Sequence, residues 1–389
     1  MKGFQFNGIA SGIKTNGKKD LGVIYSQRPA CAAALFTTNK VVAAPVILGR
    51  ERIVPGICQA VVVNSGNANC FTGKQGYKDA VETARVAAEA LNIPEDLVLV
   101  SSTGVIGAPL PMEKMHTGIP LVVADMASDK ADDFAEAILT TDLAKKMVSK
   151  TCTIKGKTFT VCGFAKGSGM IRPNMATMLA FVCTDLDISS TLLKTVLQKA
   201  CGVSFNRISV DGDTSTNDML IAMANGMSGA VLEDSDDALE FQRVMDETLL
   251  ELSKMVVRDG EGATKLARIV VRGAASAHDA FLTAEAIAHS NLVKTALYGE
   301  DPNWGRITAA AGRSGAMVDP DKMDLFFGEV PLVMGGVWQG VDAEKEAAKG
   351  MKADELEIVL DLNLGDHSDF FMFCDFSENY VKINADYRS

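Results

Sequence analysis

A chain of 389 residues, 47% apolar and 22% charged, is long enough for two or more cores and has the balance of an ordinary globular protein, which excludes extended disorder. Its net charge of −11 is spread along the chain rather than gathered in a tail, so no nucleic-acid partner is expected. No apolar run approaches the ~18 residues of a membrane span, and Met1-Lys2-Gly3-Phe4 leads into no signal-peptide core, which together predict a cytoplasmic protein without a membrane partner.

The first 65 residues alternate short apolar runs with turn residues. Gly22-Val23-Ile24-Tyr25, the run at 32–36 and Val61-Val62-Val63 read as strands. The third ends in a tight turn at Asn64-Ser65-Gly66-Asn67-Ala68-Asn69, where asparagine tolerates left-handed backbone. Gly8-Ile9-Ala10-Ser11-Gly12 is one residue short of a phosphate loop and reads as a turn. Val81, Ala84, Ala88 and Leu91 share the face of a helix over 77–91, stopped by Pro94. A strand at 97–100 follows, and Ser101-Ser102-Thr103-Gly104-Val105-Ile106-Gly107 turns away from it. Helices are expected at about 112–126 and 128–138, the second capped by Ser128, ahead of Leu139-Thr140-Thr141-Asp142. Later come a helix capped by Ser189 or Ser190 and closed by Gly202, and a hydrogen-bonded turn at 211–218, which lacks the bidentate glutamate of a calcium loop. A long helix over 236–257 breaks at Asp259-Gly260-Glu261-Gly262, a helical pattern resumes near 276, and 356–362 alternates as a half-exposed strand does. Eight scattered cysteines without a Cys-x-x-Cys pair should be reduced and mostly buried.

The stretch around which the rest is organised is Lys166-Gly167-Ser168-Gly169-Met170-Ile171-Arg172-Pro173-Asn174-Met175-Ala176-Thr177-Met178-Leu179. Residues 178–183 are apolar on both alternating faces and predict a short strand buried on both sides, with Thr177 at its threshold. A β-branched residue opening a strand needs no functional reason. If the Ala176–Thr177 bond were cut, however, Thr177 would carry an α-amine of pKa about 7.7 to 8.0 beside its own hydroxyl, a nucleophile with a built-in base. Read alone, Thr103-Gly104 is an ordinary turn, Lys166 a solvated lysine and Glu261 an exposed glutamate.

Gly-Ser-Gly-Met-Ile-x-Pro-Asn-Met-Ala-Thr-Met-Leu at 167–179 resembles the self-cleavage segment of the glutamate N-acetyltransferase (ornithine acetyltransferase) family of arginine biosynthesis. The likeness runs from about residue 4 to the C-terminus and recurs in order at 8–15, 35–39, 64–69, 259–265 and Gly299-Glu300-Asp301-Pro302-Asn303-Trp304-Gly305-Arg306. It implies an α+β fold, a layered αββα-type sandwich as in the ornithine acetyltransferase/aminopeptidase superfamily. A main catalytic domain would span 1–275, and a smaller C-terminal α/β domain, 276–389, would close over the site. It further implies self-cleavage between Ala176 and Thr177 into an alpha chain 1–176 and a beta chain 177–389, doubled into a heterotetramer. The activity implied is transfer of acetyl from N2-acetyl-L-ornithine to L-glutamate in ping-pong fashion, with acetyl-CoA an open second donor. Thr177 would be the nucleophile and Thr103 with Gly104 the oxyanion pair. Thr140, Lys166, Glu261, Asn384 and Ser389 would contact substrate, the Glu261 carboxylate meeting the substrate's side-chain ammonium; many relatives end in threonine where this chain has Ser389.

Four separated histidines and the absence of Gly-x-Ser-x-Gly, Gly-x-Gly-x-x-Gly or Gly-Lys-Thr motifs predict chemistry without metal or cofactor. Two rival readings stand beside the transferase: a self-cleaving amidohydrolase or aminopeptidase that passes the acyl group to water, and a non-catalytic assembly protein in which Thr177 is only a strand residue.

Overall fold

A computed structural model describes residues 1–172 and 178–386. Two compact units divide the chain, Met1–Asn206 with Asp213–Val256, and Arg207–Gly212 with Val257–Ser389. The expected border at 275 moves to Val256/Val257, because the strand that follows Val257 pairs inside the second unit's sheet.

The first unit is built on strands β1 (Phe4–Ile9), β2 (Leu21–Phe36), β3 (Ile57–Asn67), β4 (Val98–Val105), β5 (Lys146–Ile154), β6 (Lys157–Lys166), β7 (Leu179–Thr184) and, after the two-residue β8 (Ile208–Ser209) of the second unit, β9 (Met219–Ala224). Its helices are α1 (Ala44–Arg52), α2 (Gly73–Leu91), α3 (Met112–Ala124), α4 (Ala131–Ala137), α5 (Ser190–Gly202) and α6 (Ser235–Arg258). The strands hydrogen-bond in the order β4-β3-β2-β9-β7-β6-β5, with β1 also on β2. Among the described residues of this sheet only β3–β4 and β7–β9 are parallel.

Strand β2 serves two layers. Residues 21–25 pair with β1 and β3, residues 31–36 pair with β9, and a register shift lies between Tyr25 and Ala30. The Phe6 ring on β1 packs at a tilt 5.4 Å from that of Phe164 on β6, although the two strands are not neighbours in the sheet. Ile24, Val61, Val63 and Leu99 share one buried cluster with Phe164, Phe181 and Ile221, so the sheet folds back and packs face to face on itself. The alternate residues Val23, Val62 and Val100 face outward onto Ala84 and Ala87 of α2 and Met115 and Ile119 of α3. Beyond the other layer, α5 lies on β2 and α6 on β6. A β-carbon added at Gly163 would stand 2.7 Å from Leu252 Cδ1 and 3.0 Å from Thr248 Cγ2, so α6 approaches as closely as it does because this position lacks one. Helix, sheet, sheet, helix is the layering the resemblance implied.

Strand β7 is buried at every residue, as its apolar run predicted, and Ser189 caps α5 by accepting from the Leu192 amide. Three expectations change. Residues 22–36 form one bent strand rather than two. The asparagine-rich segment is no turn, because Asn64, Ser65 and Gly66 continue the parallel ladder onto Ser102, Thr103 and Gly104, and residues 101–105 accordingly remain in β4. Ser128 does not cap α4, which starts at Ala131 after an uncapped Lys130; reciprocal backbone bonds between Ala127 and Phe6 hold the preceding residues to β1.

The second unit adds β10 (Leu266–Ala274), β11 (Asp324–Phe327), β12 (Val330–Met334), β13 (Val337–Trp338), β14 (Glu355–Asp361) and β15 (His367–Cys374), ordered β13-β12-β11-β14-β10-β15-β8. Its helices are α7 (Ala277–Ala288), α8 (Asn291–Tyr298), α9 (Trp304–Gly312), α10 (Val341–Gly350) and α11 (Glu378–Ala385). Ile269, Val271, Ile358, Leu360 and Phe371 form its core with Ala280, Ala284 and Ile287 of α7. Among the described residues no helix is long and apolar enough to cross a membrane. All eight cysteines are free thiols, and burial pushes Cys58 and Cys162 up to about 12, which keeps them unreactive.

Candidate active site

The parallel ends of β3 and β4 are fixed by side-chain amides. Ser102 Oγ donates to Asn64 Oδ1 at 2.6 Å, and Asn64 Nδ2 donates to the Asn67 carbonyl at 2.8 Å. Asn217 Nδ2 bridges the carbonyls of Ala68 and Ser102 at 2.6 and 2.8 Å, tying both strands to the loop before β9. Thr103 and Gly104 sit at the end of this lattice. Gly104 has φ +136°, and a β-carbon there would lie 2.3 Å from the Gly66 carbonyl carbon, so the two backbones can cross only where the position is glycine. The asparagine cluster therefore fixes two paired strand ends rather than a turn, and the backbone it holds is that of the proposed oxyanion pair.

Lys166, the last residue of β6, is buried rather than solvated, and its Nζ lies 3.4 Å from Thr103 Oγ1. Behind it stands Asp142, whose side chain is wholly buried. One carboxylate oxygen, Oδ1, accepts from Lys146 Nζ and from the Gly167 amide, both at 2.7 Å. The other, Oδ2, accepts from the Thr140 amide at 2.9 Å and lies 3.4 Å from Thr140 Oγ1 and 4.0 Å from Lys166 Nζ. Burial by itself would raise the Asp142 pKa, but Lys166 and Lys146, with the Thr140 amide, hold it well below the usual carboxylate range.

A cavity of about 570 Å³ opens beside this cluster, lined in part by Lys14, Leu139, Thr140 and Asp142. Lys14 Nζ donates to the carbonyls of Leu139 at 2.6 Å and Lys19 at 2.8 Å, and its stem runs beside Gly66. Its pKa is lowered to about 8, chiefly by burial and further by the nearby Lys166. The loop carrying Lys14 is not a bare turn: both oxygens of the buried Asp20 gather the amides of Ser11 and Lys14.

In the second unit, Glu261 is 8% exposed, which corrects the reading of an exposed glutamate between glycines. Asn384 Nδ2 donates to Glu261 Oε2 at 2.8 Å. The preceding turn of α11 packs onto Gly262, where Ser377 Oγ donates to the Gly262 carbonyl at 2.5 Å.

Of the residues singled out from the sequence, Thr103, Gly104, Thr140 and Lys166 thus fall in the first unit, and Glu261 and Asn384 are bonded to each other in the second. Ala176, Thr177 and Ser389 lie outside the described residues. Sequence reasoning missed Asp142, Lys14 and Asp20. A lone aspartate after two threonines carries no spacing signal, since beyond Thr140 and Lys146 its partners Lys166 and Gly167 are remote in the chain.

A model of the ArgJ family matches residues 5–389. The chain is 51% identical to the arginine biosynthesis bifunctional protein ArgJ of Geobacter sulfurreducens, covering 100% of both chains. It is 48% identical to the protein of the same name from Thermotoga neapolitana, covering 100% of this chain and 99% of that one. The crystal structure of the arginine biosynthesis bifunctional protein ArgJ from Bacillus halodurans is 40% identical with a TM-score of 0.51, and the match covers 53% of this chain and 97% of the solved one. Coverage from end to end, at this identity and on this fold, means that the chain belongs to the ArgJ family.

Proposed function

We propose that this ArgJ-family enzyme of arginine biosynthesis moves an acetyl group from N2-acetyl-L-ornithine to L-glutamate through an acetyl ester on Thr177, after breaking its own Ala176–Thr177 bond. The observation that carries the reading is the meeting of Thr140 and Lys166 at the buried Asp142 carboxylate, with Lys166 in turn 3.4 Å from the Thr103 hydroxyl. Support for the cleavage comes from the Bacillus halodurans structure, in which the solved chain is matched almost whole by 53% of this one. A cut after Ala176 divides this chain nearly in half.

In the first half-reaction the Thr177 hydroxyl gives its proton to its own α-amine as its oxygen bonds the acetyl carbon. The carbonyl oxygen becomes negative against the Thr103 hydroxyl and the Gly104 amide. Collapse breaks the carbon–nitrogen bond, and ornithine's nitrogen leaves with the proton. Glutamate's amine then attacks the ester, its surplus proton passes to the departing threonine oxygen, and N-acetylglutamate is released. One set of donors serves both charged intermediates. Thr140, Lys166, Glu261, Asn384 and Ser389 hold the substrate, with Glu261 taking its side-chain ammonium. The fragments 1–176 and 177–389 stay together, two of each forming a heterotetramer. Acetyl-CoA is the second donor in a bifunctional enzyme, in keeping with the relatives' name.

The test is the intact mass and amino-terminal sequence of the purified protein, followed by an acetylornithine assay with and without glutamate. A fragment beginning at Thr177 and acetyl transfer that requires glutamate are expected. Equal acetate release in both assays would make the enzyme a hydrolase. Thr177→Ala should leave an uncut, inactive chain, while Thr177→Ser keeps partial activity. Two fragments and normal transfer from Thr177→Ala would remove the assignment.

A further inference from the structure

We propose that Asp142 is a positioning residue for both self-cleavage and acetyl transfer, a single buried carboxylate that fixes Thr140, Lys166 and the base of the Gly167 segment relative to one another. The proposal rests on the reading above for the roles of Thr140, Lys166 and Thr177. Its own ground is geometric. Both oxygens of Asp142 are occupied, one by Lys146 Nζ and the Gly167 amide, the other by the Thr140 amide and the approach of Lys166 Nζ.

An uncharged isostere cannot reproduce this. Asparagine has one acceptor oxygen, so its amide nitrogen would face either the Gly167 or the Thr140 amide, donor against donor. Lys146 accounts for the survival of a charge at this depth: its own side chain is 1% exposed, and it pairs with Asp142 at 2.7 Å. Lys146 alone would suffice if the pair were only a structural clasp. The additional bonds to Thr140 and Gly167, at the two ends of what the proposed reaction uses, are what a clasp does not need. Lys14 supports the same loop from its other side through the Leu139 carbonyl.

The charged groups facing Asp142 are Lys146, Lys166 and, further off, Lys14, which is itself countered by Asp20. Removing the Asp142 charge withdraws an anion 4.0 Å from Lys166 Nζ and favours loss of its proton. In Asp142→Asn the alkaline limb of kcat/KM for acetylornithine should therefore move down by about one pH unit. Cleavage of fresh precursor, followed by intact mass, should slow by about tenfold or more, and KM of the cleaved fraction should rise about tenfold. Because Asp142→Asn strands a buried lysine, the paired variant Asp142→Asn/Lys146→Met removes both charges; it should melt cooperatively yet still cleave slowly and show the raised KM. Asp142→Glu, with the charge kept on a side chain one methylene longer, should raise KM and leave the alkaline limb in place. Normal cleavage, KM and pH profile in the paired variant, or normal KM in Asp142→Glu, would overturn the proposal. Failure of the wild-type protein to cleave or transfer would instead overturn the reading of Thr177.

Discussion

Thr103 is held chiefly by its backbone and its neighbours in the ladder, with one contact to its own hydroxyl from Lys166. Ser102 before it is bonded to Asn64 and to Asn217, Gly104 after it is pressed against Gly66, and Lys166 faces its hydroxyl. A donor fixed in this way can meet a developing negative oxygen without reorganising, which is where such donors have their largest effect. Thr103→Val keeps the shape and removes the hydroxyl. It should lower kcat for acetyl transfer about 10²-fold with little change in KM for acetylornithine, as measured by steady-state kinetics. Glu261 has the opposite profile. It is buried and bonded to Asn384, and under the proposed reaction it would hold the substrate's ammonium in the ground state as well as during reaction. Glu261→Gln should therefore raise KM for acetylornithine about tenfold while kcat changes little. A fall in kcat alone would show that Glu261 acts on the reacting bond instead.

At the scale of elements, the strands whose side chains obey a simple rule were legible in advance. β7 is apolar at every position and is buried at every position, and β14 alternates as 356–362 predicted. The segment 64–69 was misread because glycine and asparagine signal a turn only when the backbone lacks other partners; here their side chains and amides are absorbed by β4 and by Asn217. Lys166 and Glu261 were singled out because a motif surrounded them, yet their burial was not legible, since read alone each was a solvated side chain. Asp142 was not singled out at all, because its bonds to Thr140 and Lys146 are local while Lys166 and Gly167 reach it from a remote strand end. Gly163 marks a further limit, since nothing nearby in sequence announces that α6 will lie against it. Gly163→Val should destabilise the fold by about 1–3 kcal/mol through contact with Leu252 and Thr248, read as a lower urea midpoint with unchanged slope.

For the whole molecule, the order β4-β3-β2-β9-β7-β6-β5 has a consequence for a chain cut between Ala176 and Thr177. β7 and β9 would belong to the later piece, yet they lie between β2 and β6 of the earlier one, joined by continuous ladders on both sides. The pieces should therefore co-elute through any native column and separate only in denaturant, which gel filtration with and without guanidinium will show. The same interleaving sets a limit on engineering. Two genes, one for each half, would release from the ribosome polypeptides with raw strand edges on either side of a two-strand gap, or a pair of strands with no flanks at all. Each is a template for aggregation before the halves could meet. Synthesis as a single thread gives every strand its neighbour first, and the proposed scission would then be the last event.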